Sequence, residues 1–368
     1  MIPIGLEASS LCTSRRGGIQ HYIISFIDCL LENDRCRSAY DVRLLYKLSR
    51  YQNRRFRHMP TGARAKWYYS GVLPISRWLG LVHSLDGQAV PSRKAKHVAT
   101  IYDLAVLKER LKDDRYSPES FRNKKRDKVK ALLDCSDAIV TLSANTKQDL
   151  LEYFDYPDGQ IHVIPPGIDP AFLNHGSEDG DPEEVLHRYE LKRNGYFLFV
   201  GEISHRKNIS NLIHAYARSG TSDSVDLVLA GQPSAATEEM LDAAGELNLG
   251  DRLKLLGHVP DEALPALYSG SRAFLFPTYY EGFGIPILEA MACRTPVLIG
   301  NWGAAPEVAS GHAVEVDPFE IDSIAEGINR ILESESPLVE EAARHAARYT
   351  WAACAERTVE LYETILDG

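Results

Sequence analysis

Short, largely apolar runs, each followed by a turn and a stretch of helical spacing, recur in two blocks of this 368-residue chain. The first block holds Ile2–Glu7, Val42–Leu48, Leu81–Leu85, Val98–Ile101, Ala138–Leu142 and the short Ile161–Ile164. The second holds Tyr196–Val200, Val225–Ala230, Leu253–Leu256, Ala273–Phe276, Pro296–Ile299 and Ala313–Val316. Such runs are buried strands, and strand–helix alternation predicts parallel sheets with helices on both faces. After Gly17-Gly18, the residues Ile19, Tyr22, Ile23, Phe26, Ile27, Leu30 and Leu31 repeat at helical spacing. Further helices are predicted over 117–134 and 144–154, the second entered through Ser143 as N-cap. The pattern predicts an α/β chain of two Rossmann-like domains, 1–172 and 196–349, joined by the polar, acidic linker 173–195. The length suits two cores better than one. Ligands of such domains bind at the carboxyl ends of the strands, and two facing domains create a cleft.

Composition narrows the class. With 44% hydrophobic and 25% charged residues the chain is globular, neither disordered nor fibrous. No window approaches the 18 or so apolar residues of a membrane span. The start MIPIGLEASS lacks the basic and long apolar regions of a secretory signal. Six cysteines without a C-x-x-C pair read as reduced, buried thiols in a cytosolic protein.

The net charge of −10 conceals a division: residues 1–172 carry +8 and the remainder −18. The basic charge is concentrated at Arg43, Lys47, Arg50, Arg54, Arg55, Arg57, Arg64 and Lys66, with no acidic residue between the first and the last. Tyr46, Tyr51, Phe56, Trp67, Tyr68 and Tyr69 are interleaved or follow. Cations with interfacial aromatics suit an anionic bilayer surface or a lipid-linked phosphate, so stretch 43–69 is a candidate for peripheral membrane contact. A solvated loop is the bland alternative. No RNA-binding motif accompanies the stretch, and nucleic acid is not an expected partner.

The chemistry points to one segment above all, PTYYEGFGIPILEAMACRTPVLIG over Pro277–Gly300. A strand runs into Glu281-Gly282-Phe283-Gly284, and Ile285-Pro286 opens a helix. Gly282 and Gly284 let backbone approach a ligand, and the helix N-terminus favours phosphate. Glu289, placed in the first helical turn, suits the two hydroxyls of a ribose; Glu281, on the loop, lies nearer whatever the phosphate carries. The plain alternative is a glycine turn with two solvated glutamates. A second loop, Gly201 to Asn208, follows strand 196–200 and carries Arg206-Lys207. That pair suits a diphosphate, with Arg as bidentate donor and Lys as point charge. In the first half, Gly17-Gly18 opens a helix, and Tyr102-Asp103 follows strand 98–101. His83, ending an apolar run, is more simply a structurally satisfied histidine.

In order, the glycine loop, IPPGIDP, VGEISHRKN, GHVPDEALPALYSGSRAFLFPTYYEGFGIPILEAMACRTPV and PEVASGHAVEVDP resemble the retaining glycosyltransferases of family four. The likeness is dense from about Ser143 to Pro318. It implies the architecture called GT-B, two facing Rossmann-like domains with a cleft between them, and a nucleotide-activated sugar held mainly by the second. Glu281 and Glu289 match the family's paired glutamates, the first near the sugar and the second on the ribose. Arg206 and Lys207 match its basic pair on the diphosphate, and Gly18 its N-terminal glycine loop. Phe283, Gly284 and Ile285 would offer backbone contacts. The resemblance also implies that the terminal helix Trp351–Leu366, within 350–368, returns to the first domain. One departure stands out: many members have His-Asp where this chain has Tyr102-Asp103, and a tyrosine, with a pKa of about 10, is a poor base at neutral pH.

The expected activity is transfer of a hexose, mannose from GDP-mannose, to a hydroxyl of a lipid-linked glycan in surface polysaccharide or O-antigen assembly. The resemblance implies front-face chemistry, in which the leaving phosphate takes the acceptor proton and no protein base is essential. It implies no metal or cofactor, because protein cations neutralise the diphosphate. The D-x-D at Asp179-Gly180-Asp181 has no strand before it and reads as solvated. The expected location is cytoplasmic, on the inner face of the membrane. The rival reading is a nucleotide-sugar-binding protein with impaired turnover. A dinucleotide-dependent enzyme would carry G-x-G-x-x-G after its first strand, and Ile2–Gly18 contains none.

Overall fold

The computed structural model describes residues 1–13, 17–60, 63–69, 78–90, 94–113, 117–174, 181–233, 237, 245–333 and 337–368. The chain divides into two compact units, Met1–Gly167 with Thr350–Gly368, and Ile168–Tyr349.

Seven parallel strands form the sheet of the first unit: β1 (Ile2–Glu7), β2 (Tyr40–Lys47), β3 (Arg64–Tyr68), β4 (Leu81–Ser84), β5 (Lys96–Ile101), β6 (Ala138–Thr141) and β7 (Ile161–Val163). Their order is β3-β2-β1-β4-β5-β6-β7. The chain therefore leaves β1 in one direction and returns to its other side with β4, which is the switch point of a doubly wound sheet. Helices shield both faces, and Ile4, Leu6, Leu44, Val82, Val98 and Ile139 are fully buried. Helix Gly18–Glu32 buries Tyr22, Ile23, Phe26, Ile27 and Leu30 on one face. Helix Ala144–Tyr153 starts where Ser143 Oγ accepts from the Thr146 amide at 3.1 Å.

The terminal helix Trp351–Asp367 belongs to this unit. Its Tyr362 hydroxyl lies 2.6 Å from His83 Nδ1, and His83 Nε2 lies 2.8 Å from Thr100 Oγ1. Burial drives the His83 imidazole down to about 3, so it is neutral and both its nitrogens are occupied.

The basic stretch carries regular structure that its alternative reading as a solvated loop left out. Arg64–Tyr68 is an edge strand paired with β2, and Leu48–Phe56 is a 3-10 helix with no buried residue. Charges on an edge strand interrupt the apolar pattern that marks a central one, and they protect the edge against further pairing. Trp67 rests 5.5 Å from Tyr46. All six cysteines are free, but Cys135 is exposed and Cys29 half-buried, where burial was expected.

The second unit carries β8 (Tyr196–Val200), β9 (Asp226–Ala230), β10 (Leu253–Gly257), β11 (Ala273–Phe276), β12 (Val297–Gly300) and β13 (Val314–Val316). All are parallel in the order β10-β9-β8-β11-β12-β13. Phe199 stacks on Phe276 at 5.7 Å and Phe274 on Phe276 at 5.2 Å, all three fully buried. Among the described residues no helix is long and apolar enough to cross a membrane.

Candidate functional site

In the second unit β8 and β11 are neighbours from which the chain winds in opposite directions. The loops leaving their carboxyl ends therefore diverge, and a crevice opens at that point of the sheet. Gly201, at φ +146°, turns the chain out of β8; the Gly231 backbone comes so close that a Cβ there would lie 1.7 Å from the Gly201 carbonyl oxygen. A short 3-10 turn, His205–Lys207, follows and ends at Asn208 in the left-handed region. Asn208 is buried, and its Nδ2 donates to the carbonyls of Pro277 at 2.8 Å and Pro318 at 2.6 Å. The Tyr279 amide donates to the Arg206 carbonyl at 3.2 Å. These bonds lock the two loops together.

They bring Arg206, Lys207 and Glu281 into one cluster. Lys207 Nζ lies 2.8 Å from Glu281 Oε1 and 4.9 Å from the Phe276 ring centroid. Arg206 Nη1 donates to the Tyr280 carbonyl at 3.0 Å and sits 3.5 Å from Glu281 Oε2. The Lys207 and Glu281 side chains are 12% and 9% exposed, while Arg206 keeps 39% of its surface in solvent. Burial alone would push the Glu281 carboxyl up, but the charges of Lys207 and Arg206 outweigh it and hold the group below the usual carboxylate range. Burial pulls the Lys207 amine down against the opposing pull of Glu281. The cluster is one carboxylate and two cations, with one positive charge in excess.

Beyond Glu281 the loop enters helix Ile285–Ala292 through Gly284, whose φ is +97°. That backbone conformation strains any residue with a side chain, and a Cβ at Gly284 would also press on Ile287 Cδ1 at 2.9 Å. The Glu281 carbonyl is fixed by the Ala304 amide at 3.0 Å. Gly282 and Phe283 are buried, Phe283 packing 5.9 Å from Tyr349, and Ile285 is the first helical residue. The helix begins at Ile285, which places Glu289 in the second turn rather than the expected first. Glu289 Oε2 accepts from the Tyr268 hydroxyl at 3.0 Å, and burial raises its carboxyl to about 7.

The other sequence candidates lie in the first unit. Gly17 is the N-cap of helix Gly18–Glu32, its amide donating to Gln20 Oε1 at 2.9 Å. The Tyr102 hydroxyl donates to the Leu85 carbonyl at 2.5 Å, and its ring meets Tyr22 edge-on. Burial pushes that phenol far up. Asp103 Oδ1 accepts from the Ala105 amide at 3.3 Å. Of the D-x-D, Asp179 and Gly180 lie outside the described residues, and Asp181 caps helix Pro182–Arg188.

Glu7 went unnoticed in the sequence. It ends β1 at the switch point of its sheet, is fully buried, and accepts from the Ser9 amide at 3.2 Å and the Tyr68 hydroxyl at 3.0 Å. Burial, then Asp86 beside it, pushes its carboxyl well above the ordinary range. The available signal was a lone acid closing the otherwise apolar strand IPIGLE.

The chain is similar to known proteins in sequence and in fold. Residues 17–172 match the model of Glycosyltransferase Family 4, and residues 186–350 that of Glycosyl transferases group 1. The chain is similar to the O-antigen chain mannosyltransferase B of Escherichia coli, 29% identical over 75% of this chain and 72% of that protein. It is 30% identical to the MMP alpha-(1->4)-mannosyltransferase of Mycolicibacterium hassiacum over 61% of this chain, a match that spans about half (53%) of that protein. Among solved structures, sucrose-phosphate synthase from Thermosynechococcus elongatus superposes with a TM-score of 0.79 at 19% identity, covering 100% of both chains. Anabaena Alr3699/HepE, solved with UDP and glucose, gives 0.76 at 16%, covering 99% of this chain and 100% of its own. With both halves matched by models of one enzyme group and two Rossmann-like units as in the GT-B enzymes, the chain belongs to the glycosyltransferases of family four.

Proposed function

We propose that this chain is a retaining, metal-independent hexosyltransferase that moves mannose from GDP-mannose to a hydroxyl of a lipid-linked glycan during O-antigen or surface polysaccharide assembly. The observation that carries the reading is the Arg206–Lys207–Glu281 cluster at the diverging loops of β8 and β11, beside a helix N-terminus. Its excess positive charge and the amides around Gly284 and Ile285 suit a nucleoside diphosphate. In the reaction the bond from the anomeric carbon to the diphosphate oxygen breaks. Lys207, Arg206 and those amides take up the charge that develops on the leaving group. The acceptor oxygen bonds to the same face of the sugar, and its proton passes to the released diphosphate oxygen. No side-chain base is needed, and Tyr102, whose hydroxyl is held by the Leu85 carbonyl, does not act as one. Glu281 faces the sugar and Glu289 the ribose. The relatives' names support mannose and an O-antigen product. Stretch 43–69 supports an acceptor held at the inner membrane surface.

The test offers the purified chain GDP-mannose, UDP-glucose and other nucleotide sugars with chelator present, and reads the anomeric configuration of the product by NMR. An α-mannoside from GDP-mannose is expected. Nucleotide binding without transfer or hydrolysis of any donor would favour the impaired binding protein instead.

A pH profile tests Glu289 separately. With its carboxyl raised to about 7, the carboxylate form grows between about pH 6 and 8. A carboxylate accepts from both ribose hydroxyls, so GDP affinity is expected to rise several-fold more across that window in the wild type than in Glu289→Gln, where only the terminal phosphate, with a second pKa of about 6, still titrates. Calorimetric titrations across the window check it; a wild-type rise no larger than the variant's removes Glu289 from the ribose.

A further inference from the structure

The 3-10 helix Leu48–Phe56 and the residues after it line an open, solvent-facing cavity of about 560 Å³ made by Gln52, Arg54, Arg55, Arg57 and Met59. It follows β2 directly, so it lies at the carboxyl end of the first unit's sheet, where ligands of parallel sheets bind. Three guanidiniums line it, and among the described residues none of the three makes an ion pair with a carboxylate; the chain has no acid between Arg43 and Lys66, and the Asp28 carboxylate nearby is taken by His58.

Their orientation is set by other means. Arg54 stands 4.5 Å from the Tyr51 ring centroid and Arg55 4.6 Å from that of Phe56, so cation–π contacts position both guanidiniums. The segment's far end is pinned by the Tyr46 hydroxyl on the His58 carbonyl at 2.5 Å and by His58 Nε2, 2.6 Å from Asp28 Oδ1. Arg57 Nε is buried and makes no hydrogen bond. Like charges gathered so closely repel one another, and a donor left buried without a partner costs free energy; one bound anion relieves both. Planar, forked donors match the oxygens of phosphate better than a single carboxylate would, and three charges call for a polyvalent group.

We infer that the cavity formed by Arg54, Arg55 and Arg57 is a phosphate-binding site of the first unit, distinct from the diphosphate cluster of the second, and that it takes the phosphate or diphosphate of an acceptor-side ligand. The acceptor-side role rests on the glycosyltransferase reading; the phosphate site itself does not. The anion can come from a lipid headgroup or from a soluble phosphate.

Calorimetry with inorganic pyrophosphate tests the shared chemistry. The wild-type chain is expected to bind two equivalents, and Arg55→Gln/Arg57→Gln to bind one, its lost site weakened about tenfold or more. Lys130→Gln, an equal loss of charge per residue on an exposed helix face, is expected to retain both. Flotation with phosphatidylcholine vesicles, with and without phosphatidic acid, separates the sources. Binding only to the acidic vesicles, lost in the double variant and competed by pyrophosphate, identifies a lipid headgroup; pyrophosphate binding without flotation identifies a soluble phosphate. Unchanged stoichiometry and affinity in the double variant would overturn the site. So would an equal loss in Lys130→Gln, since net charge alone would then explain the effect. Failure of sugar transfer in the wild type would sink the enzyme reading while leaving the pyrophosphate stoichiometry intact.

Discussion

Lys207→Ala is expected to weaken GDP binding at least a hundredfold, about 2.8 kcal/mol, and to lower the melting temperature of the second unit as well. The affinity loss has one origin: a desolvated ammonium gives charge-assisted bonds worth roughly 1.5–3 kcal/mol each, and Arg206, more exposed, replaces only part of them. The stability loss has another. Without Lys207 the 9%-exposed Glu281 carboxylate keeps the Arg206 guanidinium at 3.5 Å as its countercharge, and breaking a buried pair costs on the order of 3–5 kcal/mol. The two effects separate in the double variant Lys207→Met/Glu281→Gln. Neutralising both partners is expected to restore most of the melting temperature and none of the affinity. Lys207→Arg is not expected to rescue, because the longer, branched guanidinium does not fit the nearly enclosed site in which the compact ammonium, 12% exposed, meets Glu281. Calorimetry against GDP, paired with thermal melting, checks all three. Affinity within tenfold of wild type in Lys207→Ala would place the diphosphate elsewhere.

The sheets were legible because their central strands are nearly continuous apolar runs: Tyr196–Val200 and Ala273–Phe276 stand in the structure as read. β3 was not, because Arg64-Ala-Lys-Trp-Tyr is an edge strand whose charges break that pattern. The loops of the site were legible for a local reason. Strand, glycines and helix start follow one another within a dozen residues, and a phosphate needs that succession. Pairings over long separations were not. Lys207 and Glu281 stand 74 residues apart in sequence, and only the adjacency of β8 and β11 shows that the carboxylate neutralises the cation beside it. The same limit hid Glu7, whose isolation becomes visible only when Tyr68 and Asp86 are seen around it. It also hid the Leu85 carbonyl that occupies the Tyr102 hydroxyl. The helix containing Glu289 was found, but the glutamate was assigned to its first turn: counted from Ile285, Glu289 is the fifth helical residue and belongs to the second.

Glu281→Gln is expected to reduce kcat by about two to three orders of magnitude, about 3–4 kcal/mol, while GDP affinity stays equal or rises. Glutamine has the same shape and still offers Lys207 an oxygen, but it carries no charge. In the free site Glu281 competes with the diphosphate for both cations, at 2.8 and 3.5 Å. Removing that competition favours the ground-state nucleotide, so binding does not suffer. Turnover does, because positive charge grows on the anomeric carbon as the diphosphate departs, and a neutral amide does not stabilise it. The pH profile adds a second readout. Lys207 and Arg206 hold the Glu281 carboxyl below the ordinary carboxylate range, so its ionisation imposes no loss of wild-type kcat until the pH falls under that range. In Glu281→Gln that acid limb disappears. A purely structural salt bridge predicts something different, a parallel fall in kcat and GDP affinity together with a lowered melting temperature. A wild-type kcat in the glutamine variant would leave the carboxylate no part in the transition state, and Lys207 and Arg206 alone would then have to account for the chemistry.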